Sequence, residues 1–354
     1  MKKVLMKGNE AICQGALLAG CKAYFGYPIT PQSEIPEYMT SAMPAHGGVF
    51  IQAESEVAAV NMLYGAAATG VRAMTSSSSP GMALKQEGIS YLAGADLPSV
   101  LVNVSRGGPG LGGILPSQAD YFQATRGGGN GDYYLPVLAP ASADEALALT
   151  MRAFDMADTY RTPVMLLVDG LLGQMMEPVT VPEVTPTTYI HDWAANGDQA
   201  NRERNTVTSL DLTSAGLEQK NLERFERYAQ IKAKEISVEN LVTEGDVIAI
   251  TAYGTPARIV KNAIELLAKE GIKAGLVRPI TLWPFPEEAF QTLPDSVTQV
   301  LVCELSLGQM VDDVKISVAG KYPVDFYGRA GGQVFTPEEI VEKVKSMLAT
   351  GKGN

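Results

Sequence analysis

Apolar residues along this chain fall into short unbroken runs separated by longer stretches of helical spacing, and the two kinds of stretch alternate. Gly8 to Gly20 carries apolar or small residues three and four apart, with Gly20 placed to end a helix. Ala23-Tyr-Phe-Gly-Tyr27 predicts a short buried strand, Pro28 to Ser33 a turn locked by two prolines, and Glu34 to Met39 a helix with Pro36 in its tolerant first turn. A short apolar piece at Ile51 precedes an Ala-rich helix that begins near Glu54 and Glu56 and runs to Thr69. Arg72 to Thr75 then predicts a strand, Ser76 to Gly81 a loop of small hydroxyl residues, Leu84 to Ala93 a helix, and the β-branched run Ser99 to Val104 another strand.

The pattern continues with a strand at Val137 to Pro140 and a helix to Tyr160, opened by the capping box Ser142 and Glu145. Pro163 to Asp169 is a further buried strand. Such alternation predicts one doubly wound α/β domain over residues 1–180. From Pro178 to about Ser237 the composition turns to Pro, Thr, Asn and charge without strong strands, and residues 181–243 read as a linker containing an exposed helix at Leu217 to Glu235. A second α/β unit spans residues 244–354: strand Asp246 to Ala252, helix start at Gly254, helix Ile259 to Lys269, and strand Lys273 to Val277. A proline-locked segment Arg278 to Pro286, a strand Val300 to Glu304 and a turn at Gly308 to Met310 follow.

Composition narrows the class. A chain of 354 residues, 46% hydrophobic and 19% charged, is long enough for two cores and ordinary for a globular protein. Its net charge of −11 disfavours a phosphate-backbone partner, because nucleic-acid affinity rests on clustered Lys and Arg. No run of about 18 apolar residues occurs, and the two N-terminal lysines lead into no apolar signal region, so a cytoplasmic protein is expected. Cys13, Cys21 and Cys303 suit neither a disulfide framework nor an iron–sulfur or zinc site. Electron chemistry would then use centres on another chain.

Three places carry candidate chemistry. Glu54 and Glu56 stand where the Ala-rich helix starts; they are helix-start charges, or one is an acid tuned by an apolar wall. Thr30, fixed between Pro28 and Pro31 after a strand, either satisfies its own turn or presents its hydroxyl to a ligand, as open α/β sheets do. Arg106 stands at the end of the Ser99–Val104 strand and before five glycines at positions 107–113. Its guanidinium serves a structural ion pair or holds a carboxylate by two parallel hydrogen bonds. The glycine loop lacks a Gly-Lys-Thr/Ser ending and is not a dinucleotide fingerprint.

Tyr27-Pro-Ile-Thr-Pro31, the Glu56 helix, Arg106-Gly-Gly-Pro109, Ala252-Tyr-Gly-Thr255 and Arg278-Pro-Ile-Thr-Leu-Trp-Pro-Phe-Pro286 occur in order along almost the whole chain. Together they resemble the α subunit of thiamine-diphosphate-dependent 2-oxoacid:ferredoxin oxidoreductases. The resemblance implies a pyrimidine-binding thiamine-diphosphate domain followed by a domain like the transketolase C-terminal one. It implies a β subunit that supplies the diphosphate and magnesium half of the site with an iron–sulfur cluster, and γ and ferredoxin-like δ subunits beside it. Ser55-Glu56 matches the family's catalytic glutamate, whose carboxyl group hydrogen-bonds the aminopyrimidine ring nitrogen and promotes loss of the thiazolium C2 proton. Thr30 and Arg106 match the substrate-contacting positions, for the keto oxygen and the carboxylate. Tyr27, Pro28, Ile29, Ser79 and Gly81 fall with Glu56 on the cofactor side. The implied reaction is coenzyme A-dependent oxidative decarboxylation of a 2-oxoacid with reduction of ferredoxin.

Gly108-Pro-Gly-Leu-Gly112 with Ile114-Leu-Pro-Ser-Gln118 resembles the branched-chain type acting on 3-methyl-2-oxobutanoate, with Leu111, Ile114 and Leu115 as candidate pocket residues. An apolar pocket separates one methylene by only about 1–3 kcal/mol, so related 2-oxoacids should overlap. Two other readings are open to the sequence. One is the equivalent chain of another thiamine enzyme, of pyruvate, 2-oxoglutarate or lipoamide-linked type; the other is a non-catalytic α/β assembly module.

Overall fold

The computed structural model describes residues 2–184, 191–197 and 203–350. Part of the expected 181–243 linker therefore lies outside the described residues. Strand Lys2–Lys7 (β1) runs directly into helix Gly8–Leu18 (α1). Strand Ala23–Gly26 (β2), helix Glu34–Ala45 (α2), strand Val49–Gln52 (β3), helix Glu56–Ala68 (α3) and strand Ala73–Ser77 (β4) follow in turn. Next come helices Ser79–Leu84 (α4) and Gln86–Gly94 (α5), strand Ser99–Ser105 (β5), helix Tyr121–Arg126 (α6), strand Val137–Leu138 (β6), helix Ala143–Tyr160 (α7) and strand Pro163–Asp169 (β7). Helix Gly170–Gln174 (α8), strand Met176–Val181 (β8) and the long helix Ser214–Lys234 (α9) lead out of this part.

The remainder begins with strands Val238–Asn240 (β9) and Ile248–Thr251 (β10), helix Gly254–Lys269 (α10), and strands Ala274–Pro279 (β11) and Thr281–Trp283 (β12). Helix Glu287–Gln291 (α11), strand Gln299–Glu304 (β13), helix Met310–Val318 (α12), strand Val324–Gly328 (β14) and helix Pro337–Thr350 (α13) complete it.

A seven-stranded sheet in the order β12-β6-β7-β5-β4-β2-β3 forms the first layer, parallel throughout except for β12. Its central strands β4, β5 and β7 are buried along their whole length, which is why they read as apolar or small runs rather than alternating ones. Helices α1 and α7 lie against each other closely enough that a Cβ on Gly15 would stand 2.5 Å from the Leu147 carbonyl oxygen. A second sheet, β14-β13-β10-β11-β9, is parallel except for β9. The chain is thus an α/β protein of doubly wound type.

Several local expectations change. Ser76 and Ser77 finish β4 instead of forming a loop, and Ser79 opens α4. A serine-rich segment can sit in a buried strand when its hydroxyls find partners, and Ser76 Oγ lies 2.6 Å from Tyr24 Oη and donates to Gln32 Oε1 at 2.5 Å. The lysine-bearing N-terminus pairs antiparallel with Met176–Val181, a region read as free of strong strands; that pairing depends on a remote partner. Helix α2 continues to Ala45, with Pro44 in its last turn. The capping box is rearranged: Ser142 Oγ accepts from the Glu145 N–H, but Glu145 reaches the Ala141 N–H. Helix α9 is not simply exposed, since Arg224, Tyr228 and Ile231 form one buried stripe, and Arg224 donates to the carbonyls of Ala93 and Gly94.

The two sheets are joined through buried polar groups. β12 lies within the proline-locked segment yet pairs with β6, placing Trp283 in a stack with Tyr134 at 4.9 Å between centroids. Arg278 of β11 holds Glu145 of α7 by two bonds of 2.8 Å, and Glu239 by a third. Gln118 donates to the Tyr253 carbonyl and accepts from the Leu305 N–H. Asp169 caps α8 and accepts from both the N–H (3.0 Å) and hydroxyl (2.8 Å) of Thr255, at the start of α10. Asp169→Asn would turn one acceptor into a donor facing the Thr255 N–H. The expected loss is about 1–3 kcal/mol in denaturant unfolding, the cost of a buried group left unsatisfied.

Candidate active site

The adjacent parallel strands β5, β4, β2 and β3 all end on the same side of the sheet, and every candidate residue follows one of those carboxyl ends. Tyr27 to Thr30 follow β2, Glu56 follows β3, Ser79 and Gly81 follow β4, and Arg106 follows β5. Open α/β sheets bind ligands in this position. Among these residues Glu56, Gly81 and Arg106 are buried, Ile29 and Ser79 half-buried, and Tyr27, Pro28 and Thr30 exposed.

Arg106 makes no ion pair among the described residues. Its Nη1 donates to the Thr30 carbonyl at 2.8 Å and its Nη2 to the Leu111 carbonyl at 3.0 Å, so one guanidinium fastens the proline turn to the glycine loop. Nε is buried and has no partner. One guanidinium N–H, at Nε, is therefore left without an acceptor. The loop folds back on itself through Gly107 N–H to the Leu115 carbonyl and Gly113 N–H to the Gly107 carbonyl. At Gly112 φ is +58°, and a Cβ would stand 1.9 Å from the Gly107 oxygen, so only glycine fits. Ser79 Oγ accepts from the Arg106 N–H at 2.9 Å and donates to Asp120 at 2.6 Å, tying α4 to the arginine's main chain.

Ser55 is the N-cap of α3, accepting from Ala58 N–H, and Glu56 is its first residue. The Glu56 side chain is 6% exposed, and its carboxylate has no hydrogen bond or ion pair among the described residues. Glu54, two residues earlier, is exposed. A Cβ on Gly81 would meet Glu56 Oε1 at 2.5 Å and Ser77 Oγ at 2.2 Å, and that serine hydroxyl is itself buried without a partner. A lone buried carboxylate, an unpartnered hydroxyl and a missing side chain share one spot. They fit a heteroaromatic ring with hydrogen-bonding edges, such as an aminopyrimidine.

Sequence reasoning missed Lys85, which is fully buried between α4 and α5; its Nζ donates to Thr75 Oγ1 at 2.6 Å and to the Ser76 carbonyl at 3.0 Å. A signal was available, because Lys85 lies at helical spacing between the apolar Met82 and Ile89. Asp120 and Gln32 were missed too. Leu111 is 83% exposed and contributes its carbonyl rather than its side chain, whereas Ile114 and Leu115 line a cleft of ≈ 430 Å³ with Thr30, Pro31 and Leu171.

Residues 14–243 match the family model for the pyruvate flavodoxin/ferredoxin oxidoreductase thiamine-diphosphate-binding domain, and residues 247–340 match pyruvate:ferredoxin oxidoreductase core domain II. The chain belongs to the 2-oxoacid:ferredoxin oxidoreductases. It is 46% identical over 351 residues to ketoisovalerate oxidoreductase subunit VorB of Methanothermobacter thermautotrophicus, covering 98% of both chains. It is 38% identical over 353 residues to 2-oxoglutarate synthase subunit KorA of Archaeoglobus fulgidus, covering 98% of this chain and 100% of that one. A solved 2-oxoglutarate:ferredoxin oxidoreductase from Magnetococcus marinus, with 2-oxoglutarate, coenzyme A and succinyl-CoA bound, superposes with TM-score 0.86 at 28% identity. That superposition covers 97% of this chain and 65% of the solved chain. A split-gene transketolase, described as an inactive β4 tetramer, shares the fold at TM-score 0.59 and 15% identity, covering 97% and 96%.

This subunit is accordingly part of a thiamine-dependent, multi-subunit oxidoreductase, and the lipoamide-linked and non-catalytic readings fall away. No helix among the described residues is long and apolar enough to cross a membrane. Gly81→Ala would press a methyl group onto the Glu56 carboxylate; activity of the assembled enzyme should fall about 10²-fold, the cost of a misplacement near 1 Å, with circular dichroism unchanged. Arg106→Lys keeps the charge but cannot span Thr30, Leu111 and a ligand. Steady-state kinetics should show KM raised about 10- to 100-fold, equivalent to one lost charge-assisted hydrogen bond at about 1.5–3 kcal/mol.

Proposed function

We propose that this chain is the α-type subunit of a branched-chain 2-oxoacid:ferredoxin oxidoreductase, converting 3-methyl-2-oxobutanoate and coenzyme A to the acyl-CoA and CO₂ with reduction of ferredoxin. The observation that carries the site is the buried, unpartnered Glu56 carboxylate beside Gly81. Residues Tyr27, Pro28, Ile29, Ser79 and Gly81 with Glu56 would hold the pyrimidine half of thiamine diphosphate. Bound there, the cofactor supplies the carbon nucleophile for the 2-keto carbon and takes up the electron pair released with CO₂. Glu56 holds and moves a proton at its carboxyl oxygen toward the ring nitrogen. Thr30 Oγ1 binds the keto oxygen, and the Nε side of Arg106 receives the substrate carboxylate. Ser79 keeps the arginine's main chain in place.

The branched-chain assignment is supported by the VorB relative and by the apolar cleft of Pro31, Ile114, Leu115 and Leu171 beside Thr30, wide enough for an isopropyl group. Cys13, Cys21 and Cys303 are buried and free in separate elements, which suits a division of labour. A β subunit would bring the diphosphate and magnesium half and an iron–sulfur cluster, with γ and ferredoxin-like δ subunits completing a cytoplasmic complex. Co-purification from the native cell and assay across 2-oxoacids tests the substrate; preference for 2-oxoglutarate over 3-methyl-2-oxobutanoate would reverse it.

The decisive substitution is Glu56→Gln in the assembled complex. Cofactor C2–H exchange, followed by NMR, and turnover should fall together by about 10²–10⁴-fold, the range of general acid–base contributions, with assembly intact. Glu54→Gln serves as the control, costing at most about 1 kcal/mol of helix stability and no exchange activity.

A further inference from the structure

The turn that carries Thr30 is anchored at four of its carbonyls. Gln32 Nε2 donates to the Tyr27 carbonyl at 3.1 Å, the Gln32 N–H to the Ile29 carbonyl at 3.1 Å, and Arg106 Nη1 to the Thr30 carbonyl at 2.8 Å. The Pro31 carbonyl has two donors, Asn9 Nδ2 and Gln174 Nε2, each at 2.9 Å. The carbonyls before, at and after Thr30 are therefore all held, while none of these bonds uses its hydroxyl.

Asn9 belongs to α1 and Gln174 ends α8, and two glycines let these helices approach closely. A Cβ on Gly8 would stand 2.2 Å from the Leu172 carbonyl oxygen, and one on Gly173 would stand 2.7 Å from Asn9 Oδ1. The same two amides also donate to Glu34 Oε2 of α2, Asn9 at 2.9 Å and Gln174 at 2.7 Å, and Lys7 Nζ holds Glu34 Oε1 at 2.9 Å. An amide nitrogen that faces two acceptors cannot be turned over without setting its oxygen against both, so Glu34 fixes the direction of each amide. Asn9 shows what this costs: the residue is 0% exposed and its Oδ1 is buried without a partner. A buried polar atom left unsatisfied calls for a physical reason. Here the amide is oriented by Pro31 and Glu34, at the expense of its own oxygen. Glu34 and Gln174 also line the cleft that Thr30 opens onto.

We propose that Asn9 and Gln174, oriented by Glu34, are positioning residues for Thr30: by gripping the Pro31 carbonyl they hold the threonine hydroxyl at the place where the substrate's keto oxygen is received. This rests on the assignment of Thr30 to the keto oxygen. Groups that meet a reacting carbonyl need such support, because small misplacements are expensive in rate.

The test is a double-mutant cycle in the assembled complex between Gln174→Met, which keeps the length of the side chain without its donor, and Thr30→Val, which keeps the volume without the hydroxyl. Each alone should lower kcat/KM for 3-methyl-2-oxobutanoate about 10-fold, as for one lost hydrogen bond to substrate. If Gln174 acts through Thr30, the double variant should also fall about 10-fold, against about 100-fold for independent losses. Competitive inhibition by 3-methylbutanoate, which has the carboxylate and the branched tail but no keto oxygen, should be unchanged in Gln174→Met. Glu34→Gln, which weakens the acceptor that orients both amides, should act in the same direction by less.

Additive losses in the cycle would overturn the proposal and place Gln174 on the substrate directly. A parallel loss of 3-methylbutanoate binding, a silent Gln174→Met, or failure of both Gln174→Met and Glu34→Gln to assemble would overturn it as well, the last assigning the network to fold stability. Thr30→Val alone separates this inference from the reading beneath it. Should that variant leave kcat/KM unchanged, the assignment of Thr30 to the keto oxygen fails; should it lose activity while the cycle is additive, only the role of Asn9 and Gln174 fails.

Discussion

A carboxylate with no hydrogen-bonding partner, held at the start of a helix and almost closed to water, is the constraint around which this structure is arranged. Burying an ionised carboxylate costs several kcal/mol even after relaxation. The positive end of α3 offsets part of such a cost, about 0.3–1 kcal/mol and up to about 2 in partly buried settings. The backbone around it is shaped accordingly: Gly81 lets Glu56 and Ser77 pack where a side chain would otherwise stand, and the Ser76–Ser77 end of β4 supplies hydroxyls rather than apolar surface.

Four parallel strands ending on one side make that arrangement possible, because each places a different loop at the same level. Arg106 then converts two of those loops into one body by gripping the carbonyls of Thr30 and Leu111. The second sheet is fixed to the first through buried polar contacts, such as Asp169 with Thr255 and Gln118 with Tyr253 and Leu305. Directional bonds of this kind define one relative placement, where an apolar seam would tolerate sliding. The glycine loop lies between them, with Gln118 just beyond its end, so the candidate substrate cleft is built on anchored rather than free chain.

Much of this was legible in the sequence. Ser99 to Val104 and Pro163 to Asp169 are too apolar to be anything but buried strands; Ser55-Glu56 marks a helix start; Gly20 marks a helix end, and has φ +81°. These signals are local: backbone preference, capping chemistry and apolar period act within a few residues of the position concerned. Ordered motifs along the chain carried the family resemblance for the same reason, since each is a short segment with its own chemistry.

What the tertiary structure alone decided is which polar groups lie inside and what they touch. Lys85 drew no reading from the sequence, yet it is sealed beneath Thr75 and Ser76; β1 reads as a plain N-terminus, yet it pairs with Met176–Val181. Arg106 could as easily have met a carboxylate as two carbonyls. A polar side chain's place depends on partners brought from elsewhere in the chain, and the cost of leaving it unpaired is set by burial that no local window records. Sequence therefore determined the strands, helices and the order of the motifs. Packing determined which polar groups surround Glu56.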